Sequence, residues 1–219
     1  MCAVVDPQLE IESYLEAAGQ KAMRITHIIE THVQADHVSG ARELAAATRA
    51  PILMHAAAPV EFAFVRVEDD EEHEMGNVRM TFLHTPGHTP DGLSIVVTDR
   101  SRAPEPWFVL TGDTLFAGGV GRPDLLGAET RLADQLYDSV YGRLLTLPDH
   151  LEVFPSHFGG AACGKGLSGK PHTTIGFERR FNPALQFGSK AEFVRFVLAD
   201  LPPQPDSFAE NRRRNLAAV

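Results

Sequence analysis

Cysteine is scarce in this chain of 219 residues: Cys2 and Cys163 are its only two, too few for a disulfide framework and too far apart for a CxxC pair. Thiols used so sparingly suit a reducing cytoplasm, which is the expected location. Long apolar runs are absent as well. None approaches the roughly 18 residues of a membrane span, and the first residues lack the charged-then-apolar order of a signal peptide. Positive charge is in deficit, with 20 Lys and Arg against 29 Asp and Glu and a formal net charge of −9. Such a balance repels phosphate backbones. The one dense basic run, Arg212 to Arg214, reads as a solvated tail or the last turn of a helix. No membrane and no nucleic acid partner is expected.

What the chain does have is an apolar content of 43% over a length that buries one substantial core and not two, so one domain over residues 1–219 is expected. CAVVDP predicts a short strand ended by proline, and IESYLEAAGQKA carries apolar residues at helical spacing. THIIETHV is β-rich, VSGARELAAAT is helical in composition, and PILMH returns to strand, a β-α-β-α-β opening. The acidic VEDDEEHEMG between Val60 and Asn77 reads as a solvent-facing turn. NVRMTFLHT, DGLSIVVTD and PWFVLTGD are three successive strands separated by turn-rich stretches, as in an antiparallel or mixed sheet. A helix is predicted in TRLADQLYDSVYGRLLTL, where Leu132, Leu136, Val140 and Leu144 share a face. LEVFPSH is a last strand, residues 158–174 a glycine-rich loop, and KAEFVRFVLADL a C-terminal helix.

Four segments repeat one arrangement, an apolar strand running into a turn that carries His or Asp: IIETHVQADH, TFLHTPGH, FVLTGD and VFPSH. A fold that gathers these strand ends would converge His32, Asp36, His37, His88, Asp113 and His157 on one site. Taken singly, each has a bland explanation, since a lone histidine at a strand end is usually hydrogen-bonded structure and an aspartate there caps a turn. His27, His55, His73, His84, His150 and His172 are read that way.

THVQADHVSG, HTPGHT, TGDTLF and PSHFGG resemble the successive metal motifs of the metallo-β-lactamase superfamily, whose first motif is HxHxDH. The resemblance implies an α/β fold, the αββα sandwich of two mixed sheets face to face with helices outside and a metal site at one edge. Members usually carry a further strand before the segment matching CAVVDP, so a missing first N-terminal strand, with an exposed edge or open core, is expected. GGVGRPDL and AACGKGLSGKPHTTIGFERRFNPAL resemble the persulfide dioxygenase branch, including forms fused to a rhodanese domain. No rhodanese domain is expected here, and whether a separate rhodanese or a homodimer partner cooperates is left open.

The second histidine of HxHxDH is replaced by Gln34. Hydrolytic members hold two metals, and an amide in place of an imidazole weakens a zinc pair. In persulfide dioxygenases the positions matching His32, His88 and Asp113 hold one Fe(II), and position 34 is not a ligand. The resemblance therefore implies one Fe(II) per chain, with Zn(II) as the alternative, surrounded by hydrogen bonds from Asp36, His37 and His157. The implied reaction oxidises a low-molecular-weight thiol persulfide, such as glutathione persulfide, with O2 to sulfite and thiol. Arg122, Cys163 and Lys165 are the candidates for substrate contact, the bland alternative for Arg122 being an ion pair with Asp124. Two rivals stay open: a glyoxalase II-like hydrolase of thioesters or lactones, and a binding scaffold with a degraded site.

Overall fold

The computed structural model describes residues 1–218. Strand and helix alternate at the start: β1 (Cys2–Val5), α1 (Glu12–Gln20), β2 (Ile25–Ile29), α2 (Ala41–Thr48), β3 (Ile52–His55), then β4 (Val65–Val67). These strands form a sheet of order β1-β2-β3-β4 in which every neighbouring pair is parallel. The β-α-β-α-β opening is as expected. The expectation of two mixed sheets is corrected here, because crossovers through α1 and α2 and a loop before β4 return every strand in the same direction.

The second sheet is the mixed one. It contains β5 (Glu72–Met75), β6 (Val78–His84), β7 (Leu93–Asp99) and β8 (Phe108–Gly112), all antiparallel. The small hairpin β9 (Leu115–Phe116) and β10 (Gly119–Val120) follows, then α3 (Glu129–Gly142). β11 (Glu152–Pro155) pairs parallel with β8, and β12 (Thr173–Thr174) closes the order β12-β11-β8-β7-β6-β5. Helices α4 (Ile175–Phe181), α5 (Lys190–Leu198) and α6 (Ser207–Leu216) complete the chain.

VEDDEEHEMG is not the turn its acidity suggests: it runs from β4 through a turn at Glu68 to Asp70 into β5. Glu72 and Glu74 face solvent while His73 and Met75 turn inward, the period-two alternation of an edge strand masked by charge. Its aspartates do lie outward, where Asp69 and Asp70 hold Arg143.

Three apolar clusters define the layers. Ile28 of β2 and Ile52 and Met54 of β3 pack with α1 and α2, through Tyr14 and Leu44, on the outer face of the first sheet. The alternate residues, Ile29 and Leu53, meet Met80, Phe82, Ile95 and Val97 between the sheets. Val96, Val109 and Val153 pack outward against Leu132, Leu136, Val140 and Phe193 of α3 and α5. Neighbouring residues of one strand thus serve opposite layers, and the result is an αββα sandwich. The metal-type side chains all lie just beyond strand ends, after β2, β6, β8 and β11.

Candidate metal centre

Three side chains from three turns converge. Nε2 of His88 lies 3.4 Å and Nε2 of His32 3.9 Å from Oδ2 of Asp113, and the three atoms are within 4.8 Å of one another. All three residues are buried, and the two imidazoles meet edge to face at 81°. Each ring is held by its other nitrogen. His88 Nδ1–H donates to the Arg122 carbonyl at 2.9 Å, which leaves Nε2 with a free lone pair. His32 Nδ1 meets Thr31 Oγ1 at 3.0 Å, and that hydroxyl donates to Asp6 Oδ2 at 2.8 Å, so the ring nitrogen is the donor and Nε2 is again free. Burial lowers the His88 pKa to about 4, so the ring is neutral at neutral pH.

Asp113 supplies the test of fit. Its Oδ1 accepts from His157 Nδ1 at 2.6 Å, whereas its buried Oδ2 has no donor. A buried carboxylate oxygen facing two imidazole lone pairs is unstable without a cation between them. A divalent ion with bonds of about 2.0–2.1 Å to nitrogen and oxygen satisfies all three atoms at once.

Beside this set, His157 bridges two carboxylates, its Nε2 lying 2.8 Å from Asp36 Oδ2. Burial would lower its pKa, but the hydrogen bonds to Asp113 and Asp36 win and lift it to about 10. Burial would raise Asp113 and Asp36; His157 holds both below the usual carboxylate range, aided at Asp36 by His37. His37 is itself raised, Asp36 outweighing the burial that would lower it. Asp36, His157 and Cys163 also bring ligand-type atoms within 4.8 Å of one another. Both nitrogens of His157 are already committed, so a second ion there would have to break a charged hydrogen bond. Six strand-end residues do gather, but as one ligand face and a hydrogen-bonded support.

Gln34 is not part of either group. It is buried, lining a cavity of about 20 Å³ with Glu30, Ser39, Arg42 and Asn215, room for one water. Its amide atoms have no hydrogen-bond partner. Burial raises the Glu30 pKa well above that of an ordinary carboxyl.

The substrate candidates fare differently from expectation. Arg122 is buried and its guanidinium is taken up by Asp124 at 2.7 and 2.8 Å and by the carbonyls of Ala162 and Pro202, so no face is left for a substrate carboxylate. The bland alternative is the observed one. Lys165 donates to the Ala199 carbonyl at 3.0 Å and stacks over Phe196, pinned to the end of α5. Cys163 does sit beside Asp36 and His157, but it is buried and its pKa is raised, by burial first and then by Asp113 and Asp36, so it stays a neutral thiol.

Sequence reading missed the braces of the site. Asp6, held at φ 49° at the end of β1, accepts from Thr31 N–H at 2.7 Å and from Ser156 at 2.8 Å, tying three strand ends together. Asp91 accepts from Val33 N–H at 2.8 Å and joins the turn after β6 to the turn after β2. Asn215 of α6 donates to the carbonyls of Gln34 and His37, at 3.0 and 2.8 Å, and accepts from Ser39 N–H at 2.9 Å. Asn211 adds a bond to the Ala35 carbonyl at 3.1 Å. Gly121 is fixed by space, because a Cβ there would stand 1.9 Å from the Asp113 carbonyl. The GGVGRPDL stretch was the available signal for that glycine; nothing in the local pattern marks Asn215.

Comparison with known proteins places this geometry. The family model described as the metallo-beta-lactamase superfamily matches residues 2–157. A curated relative, the mitochondrial persulfide dioxygenase ETHE1 of Bos taurus, is 29% identical over 212 residues, covering 94% of this chain and 75% of its own. The crystal structure of a metallo-beta-lactamase from Staphylococcus aureus subsp. aureus COL superposes with a TM-score of 0.91 at 31% identity, over 99% of this chain, which spans 65% of that longer chain. The crystal structure of ETHE1 from Myxococcus xanthus gives 0.81 at 31% identity, over 96% of this chain and 87% of the other. With a sandwich of this topology, ligand-bearing turns at its strand ends and a family model spanning most of its length, the chain belongs to the metallo-beta-lactamase superfamily.

Proposed function

We propose that the chain is a non-haem Fe(II) persulfide dioxygenase that oxidises the terminal sulfur of a low-molecular-weight thiol persulfide. The oxidoreductase reading is carried by its ETHE1 relatives. The single observation that favours one iron over a zinc pair is the placement of Gln34, whose amide lines the Glu30 cavity and makes no hydrogen bond to His32, His88 or Asp113. Two imidazoles and one carboxylate on a common face form the set that non-haem iron oxygenases use, with positions left open for substrate and oxygen. An Fe(II) held by His32, His88 and Asp113 would supply the redox chemistry that passes electrons from the persulfide sulfur to O2.

The protein's own groups then have definite tasks. Arg122 presents its carbonyl to His88, and the Thr31 and Asp6 pair orients His32, so both ring nitrogens stay aimed inward. His157 holds Asp113 Oδ1 and thereby turns Oδ2 toward the imidazoles. As a cation between Asp36 and Asp113 it offsets the charge of the two carboxylates. The overall change balances as persulfide plus O2 plus water giving thiol, sulfite and two protons, the terminal sulfur losing electrons and O2 gaining them. Asp36 and His37 would orient the water by hydrogen bonding, and its protons would leave to bulk solvent.

Anaerobic reconstitution with Fe(II), followed by oxygen uptake and sulfite release with glutathione persulfide, tests the reading. Uptake matched by sulfite at an iron content near one per chain is expected. Hydrolysis of a thioester by a zinc-loaded sample without oxygen uptake would replace it with the hydrolase reading.

A further inference from the structure

Outside the ligand face, two buried polar groups open on one small cavity. It has a volume of about 70 Å³ and is lined by Val33, Ala35, Thr89, Leu125, Phe208 and Arg212 among others. That is several times the roughly 10–15 Å³ one water needs. Thr89 follows His88 directly, is only 2% exposed, and its Oγ1 has no hydrogen-bond partner. Arg212 of α6 brings a buried Nη1 that also has no partner. Its neighbour Arg213 is bound to Glu210, whereas no carboxylate among the described residues lies within ion-pair distance of Arg212. Asp91 acts on Arg212 through space, without a direct bond, and burial draws the guanidinium below its ordinary pKa. Burying a guanidinium with a donor unused is unfavourable unless something else fills its fork.

Apart from Gln204, whose amide nitrogen donates to the Asp124 carbonyl, the remaining walls are apolar, and Val33 and Thr89 adjoin His32 and His88 in the chain. An oxyanion on a short aliphatic body matches this lining: the guanidinium and the hydroxyl meet its oxygens while the side chains of Val33, Leu125 and Phe208 cover its methylenes. We propose that the Arg212 and Thr89 cavity is the carboxylate subsite for the thiol half of the substrate, so that the enzyme selects persulfides of carboxylate-bearing thiols. The proposal rests on the persulfide-oxidising reading of the centre. It gives the role first sought at Arg122 to a residue of the basic run that had read as a solvated tail or the last turn of a helix, and that lies in α6.

The test compares iron-loaded full-length protein with its Arg212→Ala and Thr89→Val variants on two substrates, glutathione persulfide and the persulfide of mercaptoethanol, which has no carboxylate. Loss of a charge-assisted hydrogen bond predicts that kcat/KM for glutathione persulfide, relative to the mercaptoethanol compound, falls about tenfold or more in Arg212→Ala, mainly through KM. Arg212→Lys should recover part of the ratio and Thr89→Val should lower it severalfold. An unchanged ratio overturns the proposal, as does a variant that alters only inhibition by added sulfite, which would make the cavity a site for an inorganic oxyanion. Calorimetric titration with reduced glutathione needs no turnover. Binding by wild type that Arg212→Ala loses, with no oxygen uptake by either, upholds the subsite and removes the dioxygenase reading. Should Arg212→Ala fail to fold by circular dichroism, Thr89→Val decides the same comparison.

Discussion

At Asp113 one carboxylate oxygen is held by His157 and the other has no donor, so the ligand face depends on single atoms. Removing one imidazole should therefore collapse it: His88→Ala is expected to weaken Fe(II) binding more than about a hundredfold and to abolish oxygen uptake. Gln34→His is the contrasting change. Because Gln34 lies in the Glu30 cavity, iron per chain should stay near that of wild type and turnover should shift only a few-fold, read by metal analysis and an oxygen electrode. Arg122 makes the opposite kind of prediction. Arg122→Ala strands Asp124 and two backbone carbonyls around a buried void, and should lower unfolding stability in urea by about 3–5 kcal/mol. Asp124 carries a pH signature of that pair: burial would raise its pKa, but Arg122 holds it below the usual carboxylate range. A carboxylate depressed in the folded state contributes stability above its unfolded pKa, and loses it as the pH falls through the folded value. Below about pH 4, then, wild type should lose stability more steeply than Asp124→Asn does.

Among the elements, those with a periodic apolar signal were legible and those held by long-range polar contacts were not. Leu132, Leu136 and Val140 announced α3, although it ends at Gly142 and Leu144 belongs to a 3-10 turn beyond it, and the β-branched runs announced β6, β7 and β8, because each buries its own stripe or face. The six strand-end His and Asp residues were legible for a related reason: each follows such a run directly. β5 was lost in its carboxylates. α6 was lost more completely, since its buried residues are Phe208 and Asn215 in an otherwise polar helix. What holds it is the Asn215 side chain bonded to Gln34, His37 and Ser39, more than 170 positions away in sequence. The burial of Arg122 depends likewise on Pro202, 80 residues on. No local pattern encodes such contacts. Asn215→Ala follows as the test of α6 as a clamp: three hydrogen bonds to the turn are lost, two carbonyls lose a donor, and stability should fall by about 2–4 kcal/mol. Fe(II) affinity should fall with it, although Asn215 touches no candidate ligand. A stability loss with unchanged affinity would reduce α6 to a cover.

Over the whole molecule, the sandwich is closed by hydrogen bonds where the turns meet and open alongside β1. β1 is an edge strand, with β2 as its sole partner in the sheet, and between it and the second sheet lies a cleft of about 280 Å³. Ala3, Val5, Ile29, Met80, Ile95 and Leu110 line it, and Trp107, 43% exposed, stands at its rim under the Arg102 guanidinium. These apolar lining residues belong to the layer between the sheets. A cleft with such walls favours apolar occupants over water. The folded protein should therefore enhance the fluorescence of anilinonaphthalene sulfonate while keeping its far-ultraviolet circular dichroism. As the sole tryptophan, Trp107 should lose emission to the bound dye by energy transfer. Ala3→Phe places a ring in the cleft, and is expected to weaken dye binding severalfold and to raise stability by about 0.5–2 kcal/mol. Enhancement without quenching of Trp107, and indifferent to Ala3→Phe, would locate the dye elsewhere and show that the two sheets close over this gap in solution.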